Sequence, residues 1–175
     1  MESFGRSLLV LGGARSGKSR HAQARAEAID GPLVYIATAQ AFDDEMVARI
    51  AQHQNDRDSR WRTHEAPIAL PEAIAAEGRN AAAILVDCLT LWASNVLLSG
   101  EDAEPHVTAL VDAIAHCPCP IILVANEVGF GIVPDNALAR QFRDLAGSIN
   151  QRVGAAVTSA ELIVAGFPMT LKHAN

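Results

Sequence analysis

The chain has 175 residues, half of them hydrophobic and 19% charged, so it can bury one core and is too apolar for a disordered chain. Its 14 basic and 20 acidic residues give a net charge of −6, which argues against a nucleic-acid partner and leaves phosphate binding to a local motif. No run reaches the roughly 18 apolar residues of a membrane-spanning helix, and no secretory leader is recognisable, so we expect no transmembrane segment.

Short apolar runs alternate with amphipathic stretches along the chain. Four runs are apolar at consecutive positions, which is typical of strands buried on both faces of a parallel sheet: residues 8–11, 33–36, 83–86 and 121–124. Residues 161–165 are a fifth candidate, and residues 169–172 predict a last short strand, with an antiparallel direction as one option. Helix signals predict helices over residues 18–29 and 43–53, from Pro71, over residues 107–114, and over residues 138–153 with Asp135 as the cap. This alternation predicts one three-layer α/β domain over residues 1–175.

The most specific motif follows the first predicted strand. Residues 12–19 read G-G-A-R-S-G-K-S, the G-x-x-x-x-G-K-S pattern of a phosphate-binding loop, placed between a strand and a helix. Its glycines let backbone N–H groups turn toward phosphate oxygens, and the helix N-terminus adds its positive end. We expect Lys18 to reach the β- and γ-phosphates and the Ser19 hydroxyl to bind Mg²⁺. Arg15 is either a ligand in this loop or an exposed charge.

Asp87 ends the apolar run of residues 83–86, where open α/β sheets place their ligands. It is predicted to be the carboxylate that holds Mg²⁺ together with Ser19, and an ordinary turn aspartate is the alternative. Three cysteines, Cys88, Cys117 and Cys119, form no C-x-x-C pair, so we expect reduced thiols in a cytoplasmic protein.

His53 shares one helical stripe with Phe42, Met46 and Ile50. By position alone this indicates a core histidine, but the polar run of residues 54–60 that follows is unlike a core. The alternative is a general base or a nucleophile on phosphorus. His21, one turn into the first predicted helix, is interpreted as structural.

Residues 126–134 follow the fourth predicted strand and read N-E-V-G-F-G-I-V-P. A polar pair before a Gly-x-Gly loop is the form of a substrate-binding loop, and a glycine-rich connection capped by Glu127 is the equal alternative. Residues 61–65 either line a site or pack on the surface.

Four segments in this order resemble the bifunctional adenosylcobinamide kinase/adenosylcobinamide-phosphate guanylyltransferase family of cobalamin biosynthesis, and the likeness runs from about Leu8 to the C-terminus. They are G-G-A-R-S-G-K-S-R-H at residues 12–21; Y-I-A-T at 35–38 with D-D-E-M at 43–46, R-I at 49–50 and His53; W-R-T at 61–63 with Glu65; and N-E-V-G at 126–129 with G-I-V-P at 131–134.

The resemblance implies two reactions. ATP or GTP phosphorylates adenosylcobinamide, and GTP then donates GMP to adenosylcobinamide phosphate through a guanylyl-histidine intermediate. It places that histidine at His53, where this chain has Gln52 in place of the second histidine that relatives can carry. It also implies a RecA-like, mostly parallel sheet and a homotrimer.

The catalytic residues implied are His53 and Lys18, with Ser19 and Asp87 on Mg²⁺. The nucleotide-binding residues implied are Gly12, Gly13, Ala14, Arg15, Ser16, Gly17, Lys18, Ser19, Ala37, Thr38, Ala39, Gln54, Asn55, Asp56, Arg57, Glu65 and Asp87. Two other functions stay open: a different small-molecule P-loop kinase, which would leave His53 unused, and a non-enzymatic nucleotide-dependent regulatory module.

Overall fold

The computed structural model describes residues 4–40 and 58–174, and its centre is a seven-stranded sheet. The strands are β1 Ser7–Gly12, β2 Leu33–Ala37, β3 Trp61–Glu65, β4 Ala83–Asp87, β5 Ile121–Asn126, β6 Ser159–Val164 and β7 Phe167–Lys172. Their order is β3-β2-β4-β5-β1-β6-β7, with β1 to β6 parallel and β7 antiparallel to β6. The predicted mostly parallel α/β fold is confirmed.

Five helices are described. They are α1 Lys18–Glu27, α2 Leu70–Glu77, α3 Leu89–Ser99, α4 Ala103–His116 and α5 Ala137–Ala156. Pro71 lies in the first turn of α2, as expected where a missing N–H costs nothing. The cap predicted for α5 was wrong, because Asn136 and not Asp135 accepts the hydrogen bond of the Ala139 N–H, at 2.8 Å. The helix predicted over residues 43–53 lies outside the described residues.

Helices cover the sheet on both faces, and alternate residues of β1 show this. Leu8 and Val10 pack in one apolar cluster with Ala22 and Ala26 of α1. Leu9, which points the other way, packs in a larger cluster that contains the buried side chains of α2 to α5. Because β1 is buried on both faces, its sequence is apolar at consecutive positions.

The edge strand β3 was not predicted as a strand. Each of its residues is exposed or half-buried, and its sequence carries no apolar run. The first residue, Trp61, donates its indole N–H to Glu27 Oε1 at 3.2 Å and packs edge-on against Tyr35.

In the part of the chain that is described, no helix is long and apolar enough to cross a bilayer.

Candidate nucleotide site at the carboxyl edge of the sheet

The predicted phosphate loop joins β1 directly to α1. Gly17 has φ 96°, a left-handed conformation that glycine adopts without strain, and the His21 N–H then donates to the Gly17 carbonyl at 3.0 Å to begin the helix. Arg15 also has a positive φ, of 56°, and is exposed at the crest of the loop. The chain therefore makes the turn that a phosphate loop requires.

Gly12 and Ser16 meet at the base of this loop. A Cβ on Gly12 would lie 2.5 Å from Ser16 Oγ and 2.9 Å from the Ile163 carbonyl oxygen, so only glycine fits there. Ser16 Oγ is buried, and among residues 4–40 and 58–174 it has no hydrogen-bond partner. A buried hydroxyl without a partner beside a phosphate loop is a polar group left for a ligand.

Lys18 is half-buried at the start of α1, and its Nζ donates to the Gly13 carbonyl at 3.1 Å. The Lys18 side chain thus reaches back across the phosphate loop to Gly13. Residues 15–20 line a hollow of about 290 Å³ in front of the α1 N-terminus. A phosphate in this hollow would meet backbone N–H groups, the helix dipole and the Lys18 charge together.

The turn of the β6–β7 hairpin supports the phosphate loop from outside. Ala165 and Gly166 have φ of 52° and 85°, as in a tight two-residue hairpin turn. The Gly166 N–H donates to the Ser16 carbonyl at 2.9 Å, and a Cβ on Gly17 would lie 3.5 Å from the Gly166 Cα. Sequence reasoning missed this contact because nothing local signals a pairing between residues so far apart.

The sheet register brings three predicted ligand positions into one row. Ala37 of β2 is paired with Glu65 of β3 on one side and with Asp87 of β4 on the other. Asp87 is half-buried and Glu65 is exposed, both at the carboxyl ends of their strands. One strand, β5, separates β4 from β1, so Asp87 and the phosphate loop share the same edge of the sheet.

Thr38 and Ala39 continue from this row. Thr38 is fully buried, its hydroxyl donates to the Cys88 carbonyl at 2.7 Å, and the Cys88 N–H donates back to it at 2.9 Å. The Asn95 side-chain amide donates to the Thr38 carbonyl at 2.8 Å. These contacts give the Thr38 side chain a structural role, and a nucleotide contact by Thr38 or half-buried Ala39 stays a prediction.

The loop after β5 starts beside the phosphate loop. The Glu127 N–H donates to the Gly12 carbonyl at 3.1 Å, and the Asn126 N–H donates to Thr90 Oγ1 at 2.7 Å. Glu127 Oε1 accepts the Gly129 N–H at 2.6 Å, so this carboxylate does cap its own loop. Glu127 therefore caps its own loop, and its backbone also lies beside the phosphate loop.

His21 lies under the phosphate loop in a polar cluster. Its Nε2 is 2.6 Å from Glu161 Oε2, and Arg25 Nη1 is 3.3 Å from Glu161 Oε1. Glu161 is a buried carboxylate on β6, a residue that the sequence reasoning read only as part of a strand. The cluster joins α1 to β6, in agreement with a structural role for His21.

Other predicted residues are either not described or bound to a neighbouring helix. His53, Gln54, Asn55, Asp56 and Arg57 lie outside the described residues. His64 is held by Glu77 of α2, with Nδ1 2.8 Å from Oε1, and Glu77 also pairs with Arg62.

All three cysteines are free and buried. Burial raises the pKa of the Cys88 thiol to about 11. The Sγ atoms of Cys117 and Cys119 are 3.8 Å apart, and the hydrogen bond from Cys119 lowers the pKa of Cys117 to about 7.

The donor set suits Mg²⁺ bound together with a nucleotide. Within the described ranges, no group of three His, Cys, Asp or Glu side chains could hold a metal by itself. A phosphate-loop Mg²⁺ needs fewer protein ligands, because a serine hydroxyl and one carboxylate complete a shell made of phosphate oxygens and water. Ser19, in the first turn of α1, and Asp87, at the end of β4, are residues of the required types.

Solved structures with the same architecture share little sequence. A protein from Pyrococcus horikoshii OT3 superposes with a TM-score of 0.55 at 11% identity, covering 99% of this chain and 89% of that one. The RadB recombinase gives a TM-score of 0.53 at 15% identity, with 90% and 74% covered. This chain therefore has the same fold as these two proteins.

Sequence relatives are much more similar. The chain is 44% identical to the bifunctional adenosylcobalamin biosynthesis protein CobU of Salmonella typhimurium, covering 94% of this chain and 99% of the relative. It is 45% identical to the bifunctional adenosylcobalamin biosynthesis protein CobP of Pseudomonas aeruginosa, with 94% and 96% covered. The family described as cobinamide kinase / cobinamide phosphate guanyltransferase matches residues 8–171. On this match and the phosphate loop it contains, the chain belongs to the cobinamide kinase / cobinamide phosphate guanyltransferase family.

Proposed function

We propose that this chain catalyses both reactions of its family. ATP or GTP first phosphorylates the aminopropanol hydroxyl of adenosylcobinamide, and GTP then gives GMP to that phosphate, yielding adenosylcobinamide-GDP and pyrophosphate. The observation that carries the proposal is the phosphate cradle, in which Gly12 leaves room for Ser16 and Lys18 spans the loop at the α1 N-terminus.

In the kinase reaction the chain positions the nucleotide and neutralises its charge. The loop N–H groups and Lys18 hold the phosphates, while Ser19 and Asp87 would hold Mg²⁺. When bound, Mg²⁺ supplies positive charge to the phosphate oxygens as the γ-phosphoryl group leaves. The buried Ser16 hydroxyl is available to donate to a phosphate oxygen.

The guanylyl transfer needs a nucleophile, which we assign to His53 on the resemblance in sequence. A neutral imidazole nitrogen attacks the α-phosphorus of GTP and the bond to the pyrophosphate oxygen breaks. The GMP then sits on His53 as a phosphoramidate, and the phosphate of adenosylcobinamide phosphate displaces the imidazole. Lys18 and the loop stabilise the charge that grows on the departing pyrophosphate.

The resemblance in sequence also supports a location and an assembly for the protein. We propose that the protein is a cytoplasmic homotrimer. Sedimentation equilibrium tests the assembly, and a monomer mass at working concentration would contradict it.

The deciding experiment incubates the chain with α-³²P-GTP and follows covalent label. We expect the wild type to retain label that is lost in acid and stable in alkali, because protonation turns imidazole into a good leaving group. His53→Ala should take up no label and transfer no GMP while keeping kinase activity. Lys18→Ala should lose about 10²–10³ in the rate of both reactions, because a preorganised charge is removed from each transition state.

His64→Ala is the matched control, since His64 is already engaged by Glu77. It should label as the wild type does. Label on His64, or guanylyl transfer by His53→Ala, would contradict the assignment of the nucleophile. A wild-type chain that phosphorylates a small molecule and never takes up label would be a different P-loop kinase, and one without any transfer would fit a regulatory module.

A further inference from the structure

Three large apolar side chains on the loop between β5 and α5 are exposed to solvent. Phe130, Ile132 and Val133 are 85%, 97% and 60% exposed. Single exposed apolar residues are ordinary, but three within four positions form a patch that marks a binding surface. The phosphate chemistry proposed above makes no use of them.

This apolar tip is held between two fixed ends. At the start, the Glu127 N–H is bonded to the Gly12 carbonyl and the Gly129 N–H to the Glu127 carboxylate. At the end, Arg140 Nη1 donates to the carbonyls of Pro134 and Asp135 at 2.9 and 2.8 Å. The tip is therefore presented by an anchored loop.

The anchored loop also keeps the patch close to the reacting phosphates. Three peptide units join Glu127 to Phe130, so their Cα atoms lie within about 11 Å of each other. Glu127 is itself bonded to the first glycine of the phosphate loop. A substrate that rests on Phe130 can extend a side arm toward the hollow in front of Lys18.

A separate groove with an apolar lining lies just past the loop. Helices α3 and α5 enclose a groove of about 250 Å³ that starts at Asn136, just beyond the anchored end. Its apolar lining is Leu97, Leu98, Leu138, Ala139 and Phe142. The groove adds further apolar side chains next to the end of the loop that carries the patch.

We propose that Phe130, Ile132 and Val133 form the platform on which the corrin ring of the cobinamide substrate rests while its aminopropanol arm reaches the phosphate loop. The inference rests on the proposed function and assigns the acceptor side of that site. A corrinoid has broad faces rich in methyl groups and a rim of amides, so its faces gain most from apolar contact. A purine is smaller, has polar edges and needs only one stacking partner.

A second apolar stripe serves as the comparison surface. Phe167, Met169 and Leu171 of β7 are also more than half exposed. They begin beside Gly166, near the phosphate loop, but the strand carries them away from it by roughly 3.4 Å per residue. Phe167→Ser therefore removes a phenylalanine side chain that also lies near the phosphate loop but belongs to a different surface.

The experiment compares Phe130→Ser, Ile132→Ser and Phe167→Ser with the wild type. For each we would measure the KM for cobinamide at saturating ATP, the KM for ATP, the yield of guanylyl-enzyme from GTP alone, and the mass in solution. We expect Phe130→Ser and Ile132→Ser to raise the KM for cobinamide about tenfold or more, as for a buried anchor in an interface. The KM for ATP, the guanylyl-enzyme yield and the mass should stay within about twofold of the wild type, and Phe167→Ser should change none of the four.

Each other result overturns the platform. If the wild type turns over and Phe130→Ser and Ile132→Ser leave the KM for cobinamide unchanged, the platform is refuted while the proposed function stands. A raised KM for ATP or a lost guanylyl-enzyme would assign the patch to the nucleotide base, and a changed mass would assign it to contact between copies. A wild type that neither binds nor phosphorylates cobinamide overturns the proposed function first, and the platform with it.

Discussion

The buried carboxylate of Glu161 gives a test of what holds α1 in place under the phosphate loop. It contacts His21 at 2.6 Å and Arg25 at 3.3 Å, and the side chains of Arg25 and Glu161 are each 10% exposed. We expect Glu161→Gln to lower the free energy of unfolding by about 3 kcal/mol, because it removes the negative charge that faces the buried Arg25 guanidinium. In a chain of this length, a loss of that size lowers the Tm by about 6–12 °C in thermal unfolding followed by circular dichroism.

Glu104→Gln is the matched control at the surface. Glu104 contacts Arg152 at 2.7 Å, which is shorter than the Glu161–Arg25 contact, but the two side chains are 69% and 33% exposed. Solvent screening limits such a pair to at most about 1 kcal/mol, or about 4 °C in Tm. If Glu104→Gln destabilised the chain as much as Glu161→Gln does, burial would not be what sets the strength of these pairs, and the reasoning would fail.

Three further predictions concern the site. If Asp87 holds Mg²⁺, Asp87→Asn should raise the Mg²⁺ concentration for half-maximal kinase activity by at least about tenfold, and an unchanged titration would make Asp87 a turn residue. Gly12→Ala should abolish nucleotide binding in calorimetry and cost about 1–3 kcal/mol of stability, because the added Cβ lies 2.5 Å from Ser16 Oγ and 2.9 Å from a carbonyl oxygen. Cys88, with its pKa raised to about 11 by burial, should resist iodoacetamide at pH 8 in the folded protein and react once it is unfolded, and mass spectrometry of the peptide would show labelling of the folded form if this is wrong.

The parts of the fold that the sequence predicted are those with a local signal. The apolar run of β1, the glycines after it and the helix beginning at Lys18 lie next to one another in the chain. The strand β3 was missed because an edge strand buries little, and its exposed Arg62 and Thr63 look like loop residues. Helix α3 was missed because it is apolar on most of its surface, which removes the contrast between faces on which helix prediction depends.

In the candidate site too, the sequence predicted the residues that have a local signal and missed the contacts between distant segments. Lys18, Ser19 and Asp87 follow from motifs that a single segment carries. The support of Ser16 by Gly166, and of α1 by Glu161, depends on which strands become neighbours, and no periodicity encodes that. The assignment of His53 rests on resemblance and lies outside the described residues, so it stays a prediction.

The position of β1 between β5 and β6 sets the order in which the protein can be completed during synthesis. The first strand leaves the ribosome early, yet Ser7 pairs with Ile121, and Leu8 pairs with Ser159. At about 5–20 residues per second, β1 waits on the order of ten seconds for its first neighbour. The contact between Gly166 and Ser16 forms later still. A nascent chain therefore holds β1 and α1 without either neighbouring strand until residues beyond Ile121 have been made, and the phosphate loop gains its support from Gly166 only after both strands are available.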